Sequence, residues 1–191
     1  MPDLARTGTA AILAGALIFA GQAGELLFGS PSDLVDAVFV TLAGAGIVAL
    51  GVALWGLRGL IPPRGSGRVG VRVALTGVVL LGLFAVQAVV ELVRTGEVPD
   101  NFVLFGVGFI LLVVGHLLFA RELRPALGRA WLLPILAAAG AFLALAVEAD
   151  PAHDIGLFAF EGAWVALGLA LLRAARRGGV SGPESAGTNE A

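Results

Sequence analysis

Six long, almost uncharged apolar stretches alternate with short polar segments along the chain, at about 8–28, 34–57, 72–94, 102–120, 130–148 and 155–174. Each holds about 20 residues, the number an α-helix needs to cross a ~30 Å hydrocarbon core at ~1.5 Å per residue. Breakers and caps occupy the segments between them. Gly29, Ser30, Pro31, Ser32 and Asp33 form the first turn, with Ser32 or Asp33 placed to cap the next helix. The linker from Arg58 to Arg72, with Pro62, Pro63 and Gly65, reads as loop throughout. Pro134 falls in the first turns of the fifth span, where a proline is least disruptive. Asp154 is placed to cap the sixth.

The spans pair into three tandem hairpins, about 7–58, 70–124 and 128–177, forming one domain over 1–178 with a disordered cytoplasmic tail at 179–191. Each outgoing helix closes on a related pattern. Phe84, Gln87 and Glu91 are foreshadowed by Phe19, Gln22 and Glu25, and echoed more weakly by Phe142 and Glu148. Glycines recur on the returning helices, as Gly44 and Gly51 in the second span and Gly108 and Gly115 in the fourth. A spacing of seven is two helical turns, so each pair shares one face and predicts a helix-packing stripe. The sixth span keeps Gly168 but has Glu161 where the first glycine belongs, and its row Gly162, Ala166, Ala170 also predicts a packing face. The first span resembles a secretory leader after Arg6, but its length and its match to the third span argue for a retained helix.

Composition sharpens this into an all-α integral membrane protein. The 191 residues are 58% hydrophobic and only 14% charged, at a mean hydropathy of +0.96. All twelve basic residues are arginine, and the proposed topology puts every one except Arg94 on the same side. The positive-inside bias then places both termini in the cytoplasm of a multi-pass cell-membrane protein. With no cysteine and no lysine, the chain lacks thiolate chemistry, disulfides and a Schiff-base lysine. Its serines lie outside the spans and no helix pairs two histidines, so neither a serine hydrolase nor a metalloprotease is expected. The arginines sit in short inter-span segments, which topology explains without nucleic acid.

Polar residues inside the spans are the candidates for function, because an ionisable group at a helix centre costs roughly 2.5–3.5 kcal/mol on insertion. Glu91 lies about 28 Å of helix from Arg72, which brings it to the outer boundary. Glu25 and Glu148 are expected at the same level, with Gln22 and Gln87 one turn deeper. Together these five would line an outward-facing polar vestibule for protons or cations. Glu161 is about 18 Å of helix before Arg173, well inside the hydrocarbon. His116 is about 7 Å from the end of its span, which predicts a depth gap of roughly 10 Å to Glu161 and no direct contact. Trp164, one turn from Glu161, is expected to shield its carboxyl from lipid. Trp55 and Trp131, beside Arg58 and Arg129, read as interfacial anchors. Glu148, Asp150, His153 and Asp154 offer metal-compatible donors but match no established metal spacing, so no metal and no cofactor is expected.

Pro31, Pro99 and Pro151 at the turns, with Gly44/Gly51, Gly108/Gly115 and Gly168 on the returning helices, resemble the HdeD-like family of small bacterial membrane proteins. The resemblance covers nearly the whole chain and implies a role linked to acid resistance without an assigned reaction. It does not account for Glu161 or for the carboxylates that end the outgoing helices. The expected function is a non-catalytic, accessory or stress-related membrane protein, in contact with lipid and with a second copy or another membrane protein. The alternative is a small proton- or cation-coupled transporter or channel using Glu161, Glu25, Glu91, Gln22, Gln87 and His116.

Overall fold

Apolar runs broken only by glycine, proline and polar turns favour helices, whose backbone groups are satisfied within the segment. A computed structural model describes residues 3–28, 33–63, 65–97, 103–146 and 152–179. Every regular element among those residues is helical. The long helices are α1 (Leu4–Phe28), α2 (Asp33–Leu57), α3 (Ser66–Thr95) and α4 (Val103–Ala120). A one-turn helix, α5 (Arg124–Leu127), then leads through a 3-10 segment to α6 (Leu133–Ala146) and α7 (Ala152–Gly179). Five helical stretches are long and apolar enough to cross a membrane: Leu4–Gly24, Val35–Leu60, Ser66–Thr95, Val103–Ala146 and His153–Arg177. The fourth contains α4, α5 and α6 in succession. The 14 residues of α6 reach only about 21 Å, and residues 147–151 lie outside the described residues.

Two boundaries differ from the sequence reading. The linker from Arg58 to Arg72 is not loop throughout: a 3-10 turn covers Arg58–Leu60 and α3 starts at Ser66. The breakers act only locally, Pro62 and Pro63 ending the turn and Gly65 (φ 152°) preceding α3. Helix α7 begins at Ala152 and runs to Gly179, so Asp154 lies inside its first turn, where a carboxylate complements the helix dipole. Pro134 is the second residue of α6, as its tolerated position requires. At the end of α3, Gly96 takes φ 75° and its N–H returns to the Leu92 carbonyl at 2.9 Å, a left-handed cap that favours glycine. Pro31, Pro99, Pro151, Glu148, Asp150 and the residues from 180 onward lie outside the described residues.

Each long helix packs on two neighbours, and the ring closes in the order α1, α2, α3, α4, α6, α7 and back to α1. The close contacts show that neighbours are antiparallel. A methyl added at Gly21 would meet the Phe39 carbonyl at 2.8 Å, and one at Gly46 would meet Ile18. Likewise Gly70 opposes Gly115, Gly77 opposes Gly108, and Gly140 opposes Gly156. All described arginines except Arg94 therefore gather at one end of the bundle, the arginine end. Glu91, Glu97, Asp36 and Asp154 stand toward the other, the acidic end.

Two seams repeat one another. On α3 and α4, a Cβ at Gly77 would stand 2.5 Å from the Gly108 carbonyl oxygen, and one at Gly115 2.6 Å from the Ala74 nitrogen. On α1 and α7, a Cβ at Gly8 would stand 2.8 Å from the Gly168 oxygen, and one at Gly15 would strike the Glu161 carbonyl. Backbones this close supply the van der Waals contact that holds helices together in lipid. A Cβ at Gly44 would meet Ala85 at an ordinary 3.5 Å, and one at Gly51 would meet the Val78 side chain at a tighter 3.3 Å. In the row Gly162, Ala166, Ala170, the glycine does not take part in the expected packing face. A Cβ at Gly162 would meet nothing within 4 Å, because α7 presents Gly156, Phe160 and Gly168 to its neighbours instead.

Large apolar side chains are also exposed around the outside, among them Leu13, Val48, Val79, Ile110, Leu136 and Phe158. A bundle apolar inside and out suits hydrocarbon surroundings.

Candidate functional site

Two features occupy the interior. The first is a cavity of about 230 Å³ in the acidic half, with walls from α1, α2, α3, α4 and α7. It extends from Gln22 and His153 near the acidic end to Leu50, Leu112 and Phe160 at mid-bundle. Small inward residues, including Gly21, Ala43, Ala85 and Ala88, leave this space. Phe84 and Phe105, whose rings lie 5.4 Å apart, also border it.

Gln22 and His153 are the polar side chains in a lining otherwise aliphatic, aromatic or glycine. The Gln22 Oε1 is buried and accepts no hydrogen bond among the described residues. His153 Nδ1 donates to the Ala144 carbonyl at 2.7 Å, tying the start of α7 to α6 and leaving Nε2 as the acceptor of the neutral ring. Of the five residues expected to line an outer vestibule, Gln22 borders this cavity. Gln87 Nε2 donates to Glu91 Oε1 at 3.1 Å, one turn away on α3, and neither residue lines the cavity. The side chain of Glu25 and the whole of Glu148 lie outside the described residues. No group of three or more metal-compatible side chains occurs among the described residues.

The second feature lies just beneath the cavity floor. Glu161 is 1% exposed, His116 0% and Trp164 1%. His116 Nδ1 donates to the Leu112 carbonyl at 2.6 Å, one turn earlier on α4. Its ring stands edge-on to Trp164 at 5.4 Å and 89°, with Phe160 at 6.3 Å and Phe119 at 5.0 Å. Contact with residues 160 and 164 brings His116 level with Glu161, so the 10 Å depth gap expected from the helix ends is not there. Those ends are not coplanar, since α7 continues past Arg173 to Gly179. The two residues still form no hydrogen bond with each other. Phe160 and Trp164 face α4, whereas Glu161 lies one residue round toward α1, its carbonyl against Gly15. His116 Nε2, both Glu161 carboxyl oxygens and Trp164 Nε1 are buried without hydrogen-bond partners among the described residues. Trp164 is a core side chain, not the lipid shield expected from sequence.

Below this layer the arginine half is closed by Leu54, Leu57, Phe119, Leu123 and Leu171, all fully buried. Trp55, by contrast, is 63% exposed with the Arg58 guanidinium 5.0 Å over its ring, as an interfacial anchor would be. Sequence reasoning missed the cavity and the partner glycines Gly8, Gly15, Gly70 and Gly77. The sevenfold spacing on α1 and α3 was the signal for the glycines. Comparison with family models, curated proteins and solved structures finds no match for this chain.

Proposed function

We propose that this chain is a non-catalytic, multi-pass membrane protein that holds a small apolar molecule in the acidic half of its bundle without conducting it across. In this reading six spans pair as the hairpins α1–α2, α3–α4 and α6–α7, both termini are cytoplasmic, and lipid covers the exposed apolar faces. The carrying observation is a cavity of about 230 Å³ that ends on a closed layer of buried side chains. It exceeds the ~150 Å³ of an engineered apolar cavity that takes benzene. The acceptors at Gln22 and His153 favour an apolar body carrying one hydroxyl or N–H donor. The accessory role suggested by the HdeD-like resemblance is compatible with such a holder.

Binding of 1-naphthol, with naphthalene as the donor-free control, tests the reading in detergent. Saturable naphthol binding is expected, abolished by Ala43→Trp, which fills the space. Gln22→Leu should reduce the preference for naphthol over naphthalene about fivefold, the worth of ~1 kcal/mol of hydrogen bonding. Binding unaffected by Ala43→Trp would remove the proposal.

Unpartnered polar atoms on Glu161 and His116 favour a second reading, proton- or cation-coupled transport, because such groups inside a membrane bundle mark ion paths. It predicts proton flux into liposomes that Glu161→Gln abolishes, whereas the holder reading predicts no flux.

A further inference from the structure

A recess at the arginine end has a different chemistry from the central cavity. It encloses about 800 Å³ between the start of α1, the end of α2 and the start of α3. Three guanidinium groups, those of Arg6, Arg58 and Arg68, line it. Among its described lining residues the one carboxylate, Asp3, accepts the Arg6 backbone N–H at 2.9 Å, a local cap on α1. Positive charge therefore exceeds negative there by two. Arg68 is half-buried, and its Nε is buried without a partner among the described residues. The Arg58 guanidinium stands over the Trp55 ring at 5.0 Å.

The recess does not end at its charged rim. Val48 and Val52 also line it, and both are exposed on the outer flank of α2. Guanidinium groups above, an amphipathic indole at the boundary and an apolar strip below follow the order of a phospholipid's phosphate, interface and acyl chain. Guanidinium groups suit phosphate oxygens because several N–H donors diverge from one plane, and basic pockets between membrane helices hold anionic headgroups. A soluble anion would make no use of the apolar strip.

We propose that this recess is a binding site for the headgroup of an anionic phospholipid, with the phosphate among Arg6, Arg58 and Arg68 and an acyl chain along Val48 and Val52. The site rests on the membrane-spanning reading above. It can fail while that reading stands, so membrane partitioning is measured first. If the full-length chain leaves the membrane pellet on alkaline washing, both ideas are overturned.

The test of the site itself is native mass spectrometry of the full chain exchanged with mixed phosphatidylglycerol and phosphatidylcholine, with inorganic phosphate in a separate arm. Preferential retention of phosphatidylglycerol is expected. The double variant Arg58→Gln/Arg68→Gln should lower it about thirtyfold, at roughly fivefold for each basic residue near the headgroup. The control Arg173→Gln/Arg177→Gln, at the same end but outside the recess, should leave it unchanged. Equal retention of both lipids by the unaltered protein, or equal loss in the control, would overturn the site. Inorganic phosphate displacing the lipid at millimolar concentration would make it a general anion site and overturn the lipid assignment. The unaltered protein's lipid preference needs no variant to fold, and Arg58→Lys/Arg68→Lys, which keeps the charge, should restore most of the retention.

Discussion

The two halves of the bundle use the same helices and the same apolar vocabulary, yet one is filled and the other hollow. In the arginine half, Trp164, Phe119, Leu54, Leu57 and Leu171 point inward and are fully buried. In the acidic half small inward residues such as Ala43, Ala85 and Ala88 stand beside large ones such as Phe39 and Phe84, and a cavity remains. Hydropathy does not separate the halves. What differs is how completely side-chain volume fills the space between the helices. The polar residues divide along the same line. Gln22 and His153 border the cavity, whereas His116, among aromatic rings, and the buried Glu161 lie beneath its floor.

The largest effect is expected from removing a large side chain in the filled half. Trp164→Ala should cost about 3–5 kcal/mol, read as a large drop in the thermal unfolding midpoint in detergent. A loss under 1 kcal/mol would mean that the arginine half is not tightly packed. A smaller effect is expected at the seams. Gly115→Ala pushes a methyl to 2.6 Å from the Ala74 nitrogen and should cost about 1–3 kcal/mol. Gly162→Ala, with open space around it, should be neutral or stabilise by up to about 1 kcal/mol, the difference in helix propensity. Equal effects at the two positions would contradict the assigned faces of α4 and α7.

Much of the helical content was legible because it depends on local composition. Apolar runs and turn residues located α1, α2 and α4 to within a few residues, and the arginines marked one end. Packing faces were less legible, since helices apolar all round carry no polar stripe to show which side turns inward. Gly108 and Gly115 form the packing surface that their spacing implies, but Gly162, whose spacing implies the same role, points outward. A stripe of small residues packs only where a partner offers a complementary one, and α1 offers its glycines opposite Glu161 and Gly168. Glu161, which interrupts the glycine pattern, is buried. Its level relative to His116 was misjudged because depth was counted from arginines, while the helices that carry them end at different heights.

Because the chain contains no cysteine, a single introduced thiol reports on its own surroundings, and the contrast between the halves can be measured directly. Ala43→Cys and Leu54→Cys, both on α2, are compared for reaction with N-ethylmaleimide in the folded protein, with and without 1-naphthol. The contrast between the halves predicts reaction at position 43 at least about tenfold faster than at position 54, with naphthol slowing the first and not the second. Equal rates at the two positions, or no protection at position 43, would contradict it.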